Sequence, residues 1–214
     1  MKSRDLLAFY ATKFRTIEIN YTFNHLPTEK NVAEWTAAVP DDFLIGLKAS
    51  RLITHRAQLR EPANTLPPFF ERARRLGPRL GPILFQTPPW VRRDDDRLAM
   101  FLAALPRDLR CALEVRDASW YADEVYELLR TANVALVHAE GERRPSPVET
   151  IGATAGFAYV RLRARDGYPN GAVDAWAERL RALRDAGRDV YAYFRHDDDG
   201  SNALSALRMR DALA

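Results

Sequence analysis

Seven short runs rich in aliphatic, aromatic and β-branched residues recur along the chain: TIEIN (16–20), FLIGLKA (43–49), PILFQ (82–86), RCALEV (110–115), VALVHA (134–139), FAYVRLR (157–163) and DVYAYFR (189–195). Apolar residues fall at helical spacing in the stretches between them. The stripes are Val32, Trp35 and Val39; Leu66, Phe69, Phe70, Ala73 and Leu80; Leu98, Phe101, Leu102 and Leu105; Val125, Leu128 and Leu129; and Trp176, Leu180 and Leu183. A strand followed by a crossover helix and another strand is the connection that parallel pairing needs, so the alternation predicts an α/β fold in which each stripe covers a strand layer. Helix-boundary chemistry agrees. Pro27 and Thr28 open one helix, Asp94 to Asp96 occupy the first turn of another, and Gly187 closes a third.

Seven strands fit either an open sheet or a closed barrel that lacks one strand. Residues 4–14 read as a helix, with Leu6, Leu7, Tyr10 and Phe14 on one side, leading directly into TIEIN. A helix that opens the chain without its strand favours a TIM-type (β/α) barrel, a single domain over residues 1–214 that is incomplete at its N-terminus. A length of 214 residues suits one such barrel of roughly 200–250 residues. The polar stretch GERRPSPVETIGATA (141–155) reads as one long loop rather than an interdomain linker.

Composition removes several classes. Hydrophobic residues make up 47% and charged ones 29%, the profile of a packed globular chain. The 32 basic and 29 acidic residues nearly balance, which gives nucleic acid little support as a partner despite the abundance of arginine. The one cysteine, Cys111, lies in an apolar run, so it forms no disulfide framework and reads as a buried, inert thiol. No segment reaches the roughly eighteen apolar residues of a membrane span, and the first residues lack a secretory pattern, so the expected location is cytoplasmic with no membrane partner. No Walker motif, dinucleotide fingerprint or serine nucleophile elbow appears, hence no nucleotide cofactor is expected.

The segments FYATKFRTIEINYTF, HLP, FLIGLKASRLITH, LGPILFQTPP, ALEVRDASW, YVRLR and DVYAYFRHDDDG resemble, in content and order, the YecE-like proteins classed as domain of unknown function 72. The resemblance covers nearly the whole chain from residue 6 and implies a TIM-type barrel whose activity is not established. It also implies a short first strand, with a glycine- and serine-containing segment ending in Tyr-Pro, which this chain lacks. Two further departures are Asn24, where relatives often carry an aromatic, and Arg163 with Ala164, where a histidine and a glycine are expected.

In a TIM-type barrel the working residues lie at the C-terminal ends of the strands and in the loops that follow. Period-two alternation puts Glu18 and Asn20 on one face of the first run, Lys48 in line with Leu44 and Gly46 on the second, Gln86 with Leu84 on the third, and Glu114 with Arg116 on the fourth. The last two runs add Arg161, Arg163 and Arg195. Charges aimed into a barrel must be paired or solvated, so these residues form either a packing network or a working site. On the working reading Glu18, Lys48, His55 and Glu114 are the catalytic candidates. Asn20, Gln86, Arg116, Trp120, Arg161 and Arg195 would bind substrate, with Arg161 and Arg195 clamping an anion where many barrels hold phosphate. Thr54 and His55 follow the second strand, placing an imidazole for proton transfer. Ser119 with Trp120, and Pro88, Pro89 and Trp90, would shape the rim.

HDDDG (196–200) offers His196 and Asp197 to a metal, but consecutive residues cannot all converge on one ion, and the acids suit the start of a helix near Ser201. No metal ligand is assigned, although a divalent ion remains compatible with the carboxylates. The leading expectation is a hydrolase acting on a small phosphorylated ligand. The alternatives are a glycosidase-like enzyme using the Glu18 and Glu114 pair, and a non-catalytic module binding nucleic acid or an anionic metabolite.

Overall fold

The computed structural model describes residues 3–140, 146–165, 167–197 and 199–214. The chain clusters into two compact units, Met1–Arg116 and Asp117–Ala214.

In the first unit four strands, β1 (Thr16–Ile19), β2 (Leu44–Lys48), β3 (Leu80–Gln86) and β4 (Cys111–Glu114), pair in parallel in chain order. The helices between them are α2 (Glu29–Ala37), α3 (Pro62–Thr65), α4 (Pro67–Ala73) and α5 (Asp95–Ala103), and α1 (Ser3–Ala11) precedes β1. Thr28 caps α2 through a reciprocal pair with Asn31, and the Asp94 carboxylate accepts from the Arg97 amide at the start of α5. The expected aromatic stripes face the sheet. Phe85 of β3 packs its ring against Phe70 of α4 at 6.3 Å and Phe101 of α5 at 5.1 Å. Leu80 is the exception: it opens β3 instead of continuing the helical stripe, because Gly77 and Pro78 have already broken the preceding helical segment.

Gly81 explains how β3 approaches β2 at its start. A Cβ there would lie 3.0 Å from the Gly46 amide nitrogen and 3.1 Å from the Ile45 carbonyl carbon, so glycine allows this approach without displacing the β2 backbone. The register between β2 and β3 shifts at this place, between Ile45 and Leu47.

In the second unit β5 (Ala135–Leu136), β6 (His138–Glu140), β7 (Phe157–Leu162) and β8 (Asp189–Phe194) accompany α6 (Asp123–Ala132), α7 (Asn170–Asp185) and α8 (Ser201–Leu213). β6, β7 and β8 are parallel neighbours. Ala158, Val160 and Leu162 turn to Val173, Trp176, Leu180 and Met209 of the helices, and Phe157, Tyr159 and Arg161 take the other face. The fifth run, expected as one strand over 134–139, is interrupted at Val137. Side-chain hydroxyls take its backbone groups: Thr154 donates to the Val134 carbonyl and accepts from the Leu136 amide, and Ser146 donates to the Val137 carbonyl and accepts from the Ala139 amide. Residues 141–145 of the long polar loop lie outside the described residues.

Candidate functional site

Strand alternation in the first unit delivers four polar side chains to the face opposite the helices. Glu18 is in register with Gly46, Lys48 with Leu84, and Gln86 with Glu114. Three of these residues join in a line across β2, β3 and β4. The Lys48 ammonium donates to Gln86 Oε1 at 2.7 Å, and Gln86 Nε2 donates to Glu114 Oε1 at 2.7 Å. Arg116, two residues past Glu114 on the same face, donates through Nε to that carboxylate oxygen at 3.2 Å. Glu114 is fully buried and Gln86 nearly so, whereas Lys48 and Arg116 are half-buried. The line therefore runs from an enclosed carboxylate outward to two partly wet cations.

Gln86 is the residue that makes this spacing work. Its amide has one acceptor and one donor end, so it accepts from a cation on one neighbour and donates to an anion on the other. A shorter or purely accepting side chain at that position could not connect them.

Above the line sits His55, in a π-helical turn over Leu52–Arg56, a turn type that recurs at functional sites. Its Nδ1 shares a hydrogen bond of 2.9 Å with the hydroxyl of fully buried Thr54. Phe23, from the turn after β1, stands between His55 and the line: its ring lies 4.8 Å from the imidazole, edge to face, and 4.3 Å beneath the Lys48 ammonium. Burial, and then the charges of Lys48, Arg116 and Arg51, lower the His55 pKa below its ordinary value of 6.5. The imidazole is consequently neutral at pH 7, within a local field of positive sign. The backbone just after this turn is strained, with Gln58, Leu59 and Glu61 at φ of 53°, 66° and 52°.

The remaining expected residues are distributed as follows. Asn20 is exposed and begins the turn that carries Phe23. In the second unit Arg161 is buried at the end of β7 and Arg195 is exposed just past β8, on the strand faces that carry Tyr159 and Tyr193. Trp120, expected at the rim, is fully buried in the turn Ala118–Trp120 and serves as core. The reason is local: Asp117 accepts from the Ser119 amide, and this turn carries the indole inward. Asp197 spends its carboxylate on α8, accepting from the Gly200 and Asn202 amides and the Ser201 hydroxyl, while Asp198 lies outside the described residues. Among the described residues no three His, Cys, Asp or Glu side chains group as a metal would need. Cys111 is buried, which pushes its thiol up to about 12 and leaves it protonated. Sequence reasoning missed Phe23 and Arg51. Both lie inside segments singled out for other reasons, but their part depends on contacts with Lys48 and His55 that spacing does not reveal.

Parallel strands alternating with helices, with polar side chains gathered where the strands end, define a TIM-type α/β protein. A xylose isomerase-like TIM barrel protein from Mycobacterium smegmatis, solved in complex with magnesium, matches over 99% of this chain and 89% of its own, at a TM-score of 0.61 and 12% identity. The family model described as "Protein of unknown function DUF72" matches residues 1–214, and the chain belongs to that family, as the resemblance implied. A DUF72 family protein from Enterococcus faecalis V583 superposes with a TM-score of 0.82 at 20% identity, covering 97% of this chain and 92% of that one. The UPF0759 protein YunF of Bacillus subtilis is 22% identical over 99% of this chain and 87% of its own length. No helix among the described residues is long and apolar enough to cross a membrane.

Proposed function

We propose that the first unit hydrolyses a phosphoester of a small substrate, with the anion held by Lys48 and Arg116 and the proton handled by His55. The observation that carries the reading is the placement of the His55 imidazole against the Phe23 ring, 4.8 Å away, with the Lys48 ammonium 4.3 Å over the same ring, so that an imidazole whose pKa is lowered first by burial and then by Lys48, Arg116 and Arg51 stands beside a cation. A base lodged among positive charges has a weakened affinity for protons until an anion arrives; a bound phosphate offsets those charges and raises its basicity where the reaction needs it.

In the proposed step the ring nitrogen remote from Thr54 accepts a proton from water as the water oxygen bonds to phosphorus. The phosphorus–oxygen ester bond breaks, the departing oxygen takes a proton from solvent and leaves as the alcohol, and the imidazolium returns its proton to solvent. Lys48 and Arg116 offset charge on the phosphoryl oxygens as the transition state forms. Glu114 serves as an anchor: its Oε1 accepts from both Gln86 and Arg116, which orients the two cations. In the second unit the Arg161 and Arg195 pair is a further proposed anion clamp.

The test is a panel of phosphomonoesters incubated with purified protein, with and without divalent ions. Turnover lost in His55→Ala but with binding retained, and binding lost in Lys48→Met, would support the reading. Comparing Arg161→Ala/Arg195→Ala on the same ligands tests the clamp. Neither turnover nor binding across the panel would overturn the proposal.

A further inference from the structure

We infer that the phosphorylated substrate carries a planar aromatic group and that Trp90 supplies the face on which that group stacks. For the anion the inference rests on the phosphoester reading above; for the ring it rests on separate observations.

Three successive strand-end loops of the first unit each contribute one ring to a single file. Phe23 comes from the turn after β1, His55 from the π-helical turn after β2, and Trp90 from the turn after β3. The Phe23 and His55 rings meet edge to face at 4.8 Å and 78°, and the His55 and Trp90 rings meet at 6.2 Å and 85°. A perpendicular contact sets the edge of one ring against the face of the other, so it covers at most one face of one partner, whereas stacking covers a face of both. Trp90 is 66% exposed although its ring is in perpendicular contact with the candidate base.

An exposed indole by itself means little. Two features set this one apart. The first is that it follows Pro88, which is buried, and Pro89, so its backbone is stiff and little freedom is left to lose when a ligand arrives. The second is its place in the file. The chain of contacts that starts at Trp90 and passes through His55 and Phe23 ends at the Lys48 ammonium, 4.3 Å from the Phe23 ring, so a ligand that joins a phosphate to a flat π-system has both a cation and an indole within contact of the rings around the candidate base. An aliphatic phosphate would satisfy the cation alone.

The experiment is calorimetric titration with benzylphosphonate, ethylphosphonate and benzyl alcohol, whose bonds this chemistry does not hydrolyse, on wild type, Trp90→Ala and Trp90→Phe. Base stacking on an aromatic side chain corresponds to a preference of about tenfold or more. Wild type is expected to bind benzylphosphonate at least about tenfold more tightly than ethylphosphonate. Trp90→Ala should erase that factor without changing the affinity for ethylphosphonate, and Trp90→Phe should keep most of it. Equal affinities in wild type, or a preference that survives Trp90→Ala, would overturn the aromatic assignment and leave the anion reading standing. Benzyl alcohol binding as tightly as benzylphosphonate would remove the anion reading and leave Trp90 in its role. No binding of any of the three would overturn both.

Discussion

Replacing Gln86 with leucine tests whether the line from Lys48 to Glu114 is an energetic unit. Leucine is close in size and suits a buried position, so packing is nearly conserved while both polar ends disappear. Two hydrogen bonds at 2.7 Å are lost, each to a charged partner. Such bonds contribute about 1.5–3 kcal/mol apiece, and a buried charge left without its partner costs at the upper end. Glu114 is fully enclosed and loses one bond there while keeping Arg116 on the same oxygen, whereas half-buried Lys48 can regain water and should show less. The expected loss is about 2–4 kcal/mol, read by urea unfolding, or a fall in melting temperature of about 5–15 °C for a chain of this size. Gln86→Glu is the control. It keeps the shape and the acceptor for Lys48 but sets a second carboxylate against Glu114, so at neutral pH it should be no better than leucine. Acid should then partly rescue it, as one proton shared by the two carboxyls restores a donor. A loss under about 1 kcal/mol in Gln86→Leu, or a Gln86→Glu protein as stable as wild type at neutral pH, would refute the reasoning.

Three other outcomes follow from the same structure. Because the folded His55 pKa lies below 6.5 in the free protein, kcat/KM for hydrolysis that needs its neutral form should hold constant above pH 6.5 and fall only as acidity passes the lowered value; Lys48→Met should move that limb upward, and the pH profile of kcat/KM reads both. Gly81→Ala should destabilise by about 1–3 kcal/mol, since the added carbon meets β2 backbone at 3.0 and 3.1 Å; a neutral effect in thermal unfolding would show that the strands part freely. At Asp197 burial opposes ionisation, but hydrogen bonds from Asn202, Ser201 and Gly200 outweigh it and lower the pKa below 3.8. That contribution to stability is present above pH 3.8 and disappears as pH falls through the lower folded value, so Asp197→Asn should cost stability at neutral pH and less in strong acid.

The fold was legible because its signals are local. Seven apolar runs and the stripes between them report backbone periodicity, and Thr28, Asp94 and Gly187 mark helix ends through chemistry within one turn. The split at Val137 was not legible. It depends on hydroxyls of Ser146 and Thr154, up to 20 residues away, that take backbone groups a strand would otherwise pair. Trp120 was legible only as a choice between a ligand wall and packing, since the same residue type suits both; its burial in the turn Ala118–Trp120 favours packing.

The candidate site shows where alternation stops being informative. Period two placed Lys48, Gln86, Glu114 and Arg116 on one face, and parallel register then made them neighbours with no further requirement. What periodicity could not supply was the order of charge along that face. Gln86 is expected from the sequence to bind substrate, and its part as a link shows only when its two ends are seen between a cation and an anion; Phe23, which sequence reasoning missed, gains its part from Lys48 over its ring. Both act by holding a neighbour's charge in place, a role that belongs to pairs of residues and leaves no mark on either one alone. A site of this kind yields its strand positions to sequence and its chemistry to contacts between strands, so changes at Gln86 or Phe23 should alter the behaviour of Lys48 and His55 as much as changes to those residues themselves.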